Sequence, residues 1–137
     1  MSRAKPLLTF AAWTARVLPA ALKQMLYQIP FLARLLRNSL NRAAPVGLSE
    51  VTIAAGGLEG IRMSLDLQRE KDYWLGTYEP NLQTAIADLI HPDAIVYDVG
   101  ANIGYISLML ARRVGERGRV FAFEALPSNI ARLKTNL

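Results

Sequence analysis

Hydrophobic spacing along the chain changes period several times, and each change marks an element. Between residues 61 and 67, Ile61, Met63, Leu65 and Leu67 alternate with Arg62, Ser64 and Asp66. A period of two is that of a strand with one face buried. The apolar run at residues 51–55 precedes it across Gly56-Gly57, so the pair predicts a hairpin or two short strands. Residues 72–80 form an aromatic-rich segment that reads as a loop. In residues 81–90, Leu82, Ile86, Leu89 and Ile90 fall on one helical face, and His91-Pro92-Asp93 ends the helix. Residues 94–99 are a short apolar run suited to a strand covered on both faces of a parallel sheet. Gly100-Ala101-Asn102-Ile103-Gly104 follows at once, helical character runs from Tyr105 to Val114, and Gly115 to Gly118 breaks it. A second strand of the same type spans 119–124, ending in Glu124. Pro127, Ser128 and Asn129 then open a helix with Ile130, Leu133 and Leu137 on one side.

The first 45 residues have a different texture. Pro6, Pro19 and Pro30 divide them into three short predicted helices, because proline is tolerated in a first turn and disruptive further in. In the third, Leu32, Leu35, Leu36 and Leu40 recur at helical spacing opposite Arg34, Arg37 and Arg42. The pattern divides the chain into a basic amphipathic leader (1–45), a lead-in of hairpin, aromatic segment and helix (46–93), and an α/β unit (94–137).

Charge sharpens this division. The 137 residues carry a net +5, yet residues 1–45 hold Arg3, Lys5, Arg16, Lys23, Arg34, Arg37, Arg42 and no acid. All 11 acids lie in the remainder, which is slightly acidic. The high overall pI thus describes neither half, and gives no ground for expecting a nucleic-acid partner. With no cysteine and one histidine, thiol nucleophiles, disulfides, iron–sulfur clusters and multi-His metal centres are excluded within one chain. The longest charge-free runs of the leader are about half the ~20 residues that cross a bilayer. A leucine-rich, basic helix suits either an anionic lipid surface or packing on a protein surface. A cytoplasmic protein with peripheral membrane contact through residues 1–45 is the expectation.

The chemistry is expected at the end of the first parallel strand. Gly100 and Gly104 let the backbone turn sharply, and the helix start near Tyr105 presents free N–H groups and a positive dipole end to an anionic ligand group. Glu124, 20 residues after Gly104, ends the neighbouring strand. A carboxylate there can accept hydrogen bonds from both hydroxyls of a ribose. Two adjacent strand tips would then hold one adenosine-type ligand. A dinucleotide fingerprint needs Gly-x-Gly-x-x-Gly, whereas this loop has Asn102 at the third place and Tyr105 at the sixth, which weakens the nicotinamide reading.

The string Asp98-Val99-Gly100-Ala101-Asn102-Ile103-Gly104 resembles the first motif of class I S-adenosylmethionine-dependent methyltransferases. Taken with Val96-Tyr97, Tyr105-Ile106-Ser107, the downstream run from Val120 to Glu124 and the Tyr78-Glu79-Pro80 lead-in, residues 73–137 look like the FkbM family of that superfamily. The resemblance implies an incomplete Rossmann-like doubly wound sheet, its first βαβα unit, with S-adenosylmethionine as cofactor. It implies that the loop from Gly100 through Ala101, Asn102 and Gly104 to Tyr105 approaches the methionine part, that Asp98 supports its amino group directly or through water, and that Glu124 binds the ribose. Methyl transfer to a hydroxyl of a sugar, lipid-linked glycan or secondary metabolite is the implied reaction. One departure is Ala125, where relatives often place proline, and it bears on the local turn.

Simpler roles stand beside these. Asp98 could cap the loop, Asn102 could serve its left-handed conformation, and Tyr105 and Ser107 could be helix packing and a first-turn hydrogen bond. His91 reads as a turn residue. Tyr73, Trp74 and Tyr78 could line a substrate entrance or form a lid over the core. No general base can be nominated, and two parallel strands with one crossover helix cannot cover both faces of their sheet. The expectation is therefore the N-terminal, cofactor-binding portion of a methyltransferase, inactive as these 137 residues alone. A non-catalytic membrane-surface or partner-binding module is the alternative, with a nicotinamide-dependent oxidoreductase fragment third.

Overall fold

A computed structural model of the chain describes residues 46–137. The three helices expected in the leader, and any membrane contact through residues 1–45, lie outside the described residues. Strands β1 (Leu48–Thr52) and β2 (Arg62–Asp66) form an antiparallel hairpin in which Leu48 faces Asp66 and Thr52 faces Arg62. Helices α1 (Lys71–Leu75) and α2 (Pro80–Leu89) follow. A parallel β-α-β unit comes next: β3 (Ile95–Val99), α3 (Tyr105–Val114) and β4 (Arg119–Phe123), with Ile95 beside Arg119 and Val99 beside Phe123. Helix α4 (Pro127–Asn136) closes the series. The described residues are thus mixed α/β, with two separate two-stranded sheets.

One apolar cluster joins the hairpin to the β-α-β unit. Met63, Leu65 and Leu67, the inward half of the period-two pattern, are buried with Ile53 and Leu58 from the hairpin and its short 3-10 turn (Gly56–Leu58). Trp74, Leu75, Ile86, Ile103, Tyr105, Met109 and Leu110 complete the cluster. Each such side chain withdrawn from water contributes about 1.5–3 kcal/mol. Helix α3 packs on β3 and β4 and touches α2 and the 3-10 turn, while α4 packs on β2.

One expectation is corrected here. The aromatic segment after residue 71 is in part a helix, α1, because Trp74 and Leu75 are driven into the core and the chain turns at once through Gly76, φ 71°. The run at 94–99 forms its strand, and the sheet is covered on one face only, as two strands with one crossover helix imply. Ile95, Tyr97 and Val99 are 65, 63 and 82% exposed, and Phe121 and Phe123 are also exposed. Helix α3 lies against one side of the sheet, and among the described residues no element lies against these five. Their rings instead lie flat on each other, Tyr97 stacking on Phe121 at 5.3 Å and Phe123 at 6.1 Å. The hairpin pairs slightly earlier than the apolar run suggests, since residues 53–55 leave the ladder for the 3-10 turn, where Ile53 bonds Ile61 and the Ala54 N–H reaches the Trp74 carbonyl.

Long-range polar contacts fix α4 against the hairpin and the loop. The Asn136 amide is buried; its Oδ1 accepts from the Ser64 N–H at 2.8 Å and its Nδ2 donates to the Ile103 carbonyl at 2.8 Å. Arg132 grips Glu70 with two contacts of 2.7 Å and donates to the Ser64 carbonyl, while Glu70 accepts from the Asp66 N–H. Arg113 closes the end of α2 by donating to the carbonyls of Ala87 and Ile90. Among the described residues no helix is long and apolar enough to cross a membrane.

Truncating Asn136 strands a backbone donor and a backbone acceptor away from water, which costs about 1–3 kcal/mol for each group left unpaired. Asn136→Ala is therefore expected to lower stability by about 2 kcal/mol or more in urea denaturation, while Thr135→Ala, on the exposed side of the same turn, leaves the midpoint within about 0.5 kcal/mol. Equal midpoints would show that the staple does not form.

Candidate functional site

The turn between β3 and α3 has three left-handed residues in five, Gly100 (φ 86°), Asn102 (φ 50°) and Gly104 (φ 93°). Asn tolerates this conformation better than other side-chain-bearing residues, and glycine adopts it without penalty. The turn folds back on the tip of β4. The Phe123 carbonyl accepts from the N–H groups of both Gly100 (2.8 Å) and Ala101 (2.9 Å). Glu124 continues the clasp: its Oε2 accepts from the Asn102 N–H and its Oε1 from the Leu126 N–H, each at 2.8 Å. These two donors, that of Leu126 first, hold the Glu124 carboxyl below the ordinary value of 4.5. Two oxygens with four lone-pair positions retain acceptor capacity beyond these two bonds.

The expected site residues divide into two groups. Gly100, Ala101, Asn102, Gly104 and Glu124 come together at the strand tips. Asp98 and Tyr105 point into the protein. Asp98 is 9% exposed and accepts from the Ser107 hydroxyl at 2.6 Å, so its carboxylate ties β3 to the first turn of α3. Ser107 is itself buried. Gly104 precedes α3, and no side chain caps that helix. The first-turn N–H groups therefore have no partner inside the helix. The space above Gly100 is open: a Cβ there would meet nothing within 4 Å, whereas one on Gly104 would lie 2.8 Å from Leu133 Cδ1. The surface over Gly100 admits a ligand to the backbone, and Gly104 is filled from below by α4.

Three tyrosines stand beside this loop. Tyr73 stacks on Tyr105 with centroids 4.7 Å apart and meets Tyr78 edge-on at 4.4 Å. The Asn102 amide donates to the Tyr73 hydroxyl at 3.5 Å. Burial raises all three phenols, Tyr105 to about 12, so each stays neutral throughout the physiological range. Of Tyr73, Trp74 and Tyr78, expected at an entrance or a lid, Trp74 is buried in the core, and Glu79 precedes Pro80 at the start of α2. His91 lies exposed in the turn before β3, its carbonyl accepting from the Ala94 N–H. Among the described residues no cluster of three or more His, Asp or Glu side chains is placed to hold a metal.

No family model and no solved structure matches the chain. It is similar to a segment of a much longer curated protein, the AMB antimetabolite synthetase AmbE of Pseudomonas aeruginosa. The two are 53% identical over 49 residues, which is 36% of this chain and 2% of that protein.

Two outcomes test this geometry. Gly104→Ala combines a left-handed backbone with a collision against Leu133, while Gly100→Ala adds the backbone strain alone. Thermal melts should rank Gly104→Ala as more destabilising, with Gly100→Ala costing about 1–2 kcal/mol. The Glu124 clasp has a pH signature. Because its carboxyl is held below 4.5 in the folded protein, the bonds to Asn102 and Leu126 are complete above the ordinary carboxylate range and are lost as pH falls through the lowered value. In an NMR titration the Glu124 side-chain carbon and the Asn102 and Leu126 amides should share one midpoint below 4.5. A midpoint at the ordinary value would mean that the clasp is absent.

Proposed function

We propose that residues 94–137 form the cofactor-binding portion of an S-adenosylmethionine-dependent methyltransferase of FkbM type, built as the first βαβα unit of a Rossmann-like sheet. The observation that carries this reading is the bond between the Asn102 N–H and Glu124: it brings the carboxylate at the tip of β4 against the glycine loop at the tip of β3. Ligands of open parallel sheets sit outside the carboxyl ends of the strands, and both groups are there. The residues fit the group. Glu124 has lone pairs left for a ribose diol, the surface over Gly100 is open, and the uncapped start of α3 offers N–H groups to a carboxylate.

S-adenosylmethionine supplies an electrophilic methyl on a sulfonium. The chain's contribution is to bind and orient. Glu124 would receive the ribose hydroxyls, the loop from Gly100 to Gly104 would pass beneath the methionine part, and Asp98, through Ser107, would hold the loop and α3 in register. Such positioning is a large share of catalysis in a transfer that needs the acceptor in line with the methyl. A hydroxyl acceptor on a sugar, glycan or secondary metabolite, and a cytoplasmic setting, belong to the same proposal. The name of the Pseudomonas relative speaks of antimetabolite synthesis and not of methyl transfer, so the reading stands on the loop and its carboxylates.

Isothermal titration of the full chain with S-adenosylmethionine and with NAD separates the cofactor classes. Binding of the first and not the second is expected. Glu124→Gln, which keeps the side chain's shape, should weaken it about tenfold or more, since hydrogen bonds to a charged acceptor are worth about 1.5–3 kcal/mol each. Binding of NAD alone would replace this reading by the oxidoreductase one.

A further inference from the structure

We propose that residues 6–29 of this chain dock on the open face of the β3–β4 sheet and cover Tyr97, Phe121 and Phe123 with the leader's own apolar side chains. The inference is independent of the cofactor reading.

The face is one continuous apolar surface. Alternate residues of the two strands share it in register, Ile95 beside Arg119, Tyr97 beside Phe121 and Val99 beside Phe123. Arg119 is the only charge among these six and stands at a corner, its guanidinium donating to the Gly118 carbonyl at 3.4 Å. The five apolar side chains are 46–82% exposed. Single apolar residues at a surface need no explanation, but a contiguous stripe marks a place where something packs. Tyr97 stacks on both phenylalanines, so the stripe presents a flat ring surface to whatever covers it.

The size of the face favours a tethered occupant. Stable association of separate molecules engages about 20–30 residues a side, and six fall well short of that. A segment of the same chain needs less, because its tether holds it at an effective concentration on the order of millimolar. Residues 1–45 are tethered directly to β1 and are rich in apolar side chains. Their runs at 6–15 and 24–33 carry no charge and include Leu7, Leu8, Phe10, Trp13, Met25 and Leu26. Charge points the same way: the leader has seven bases and no acid, while the rest of the chain has nine bases against all 11 acids. Two exposed acids, Glu116 and Glu124, flank β4.

Reach decides which part of the leader arrives. The hairpin lies on the covered side of the sheet, where α4 packs on β2 and α3 on the 3-10 turn, so the leader starts from the far side. A body the size of residues 46–137 is about 30 Å across. The helix expected over residues 31–42 would span about 18 Å. Residues 43–47 add up to about 17 Å when extended. Together they carry the chain round the body, which brings residues 6–29 to the sheet and leaves the third leader segment as the connection.

The test uses the full chain, whose lack of cysteine allows one nitroxide to be placed at Gln24→Cys. In buffer without lipid, NMR should show the amide signals of Tyr97 and Phe121 broadened by the nitroxide more than those of Met109 and Leu110 across the sheet. Adding Phe121→Glu should restore them and speed tryptic cleavage after Arg16 and Lys23 tenfold or more. Mixing nitroxide-bearing chains with isotope-labelled chains that lack the cysteine should broaden nothing. Broadening that appears only in the mixture would mean that a second copy covers the face, and would overturn the proposal. Absence of broadening in both samples, or cleavage after Arg16 and Lys23 as fast in the wild type as in Phe121→Glu, would also overturn it and leave the leader free for a lipid surface.

Discussion

Backbone N–H groups in a tight turn must find acceptors, and the turn from β3 to α3 supplies few of its own. Three left-handed residues turn its amides toward β4, where the Phe123 carbonyl and the Glu124 carboxylate receive those of Gly100, Ala101 and Asn102. The position of everything around the site depends on this clasp. It sets the spacing of the two strand tips, fixes where α3 begins, and holds the Glu124 carboxylate in its ionised form beside the loop. The same bonds that satisfy the turn therefore prepare the group that would bind a ligand.

Stability on the other side of the loop comes from a distance. The hairpin contributes the apolar residues under α3, and α4 returns to it through Asn136 and Arg132. Leu133 closes the underside of Gly104. The loop is thus held between β4 above and α4 below, while the surface over Gly100 stays open. Rigidity and access, which usually compete, are assigned to opposite faces of one turn.

The electrostatic character of the rim follows from the same arrangement. Asp98 and Glu70 are engaged, by Ser107 and Arg132 respectively, and so serve packing. Glu124 and Glu79 remain at the surface, and the neutral Tyr73 phenol stands beside Asn102.

Local spacing was enough to read the elements whose hydrophobic pattern is self-contained. The period-two run at 61–67 gave the inward face of β2, the apolar runs before Gly100 and Glu124 gave the parallel strands, and the apolar faces gave α2, α3 and α4. The loop and its carboxylate were legible because strand, glycines and acid lie in one short stretch, where sequence order and spatial order coincide. Other features depend on residues far apart in sequence. Nothing near Asn136 indicates that it bonds Ser64 and Ile103, and nothing near Asp98 decides between ligand and Ser107. The helix at 71–75 forms because the core takes Trp74 and Leu75, a tertiary demand on five residues too few to show a period. The apolar composition of β3 and β4 suits cover on both faces, yet an apolar strand records what it could bury and not what lies against it, and one crossover helix covers one face. Sequence by itself determined most of the elements and which residues stand at the strand tips, because those are set by neighbours along the chain. Tertiary structure alone decided that Asp98 and Glu70 are tied and that the tyrosines stand beside the loop, because those depend on contacts that only folding brings within reach.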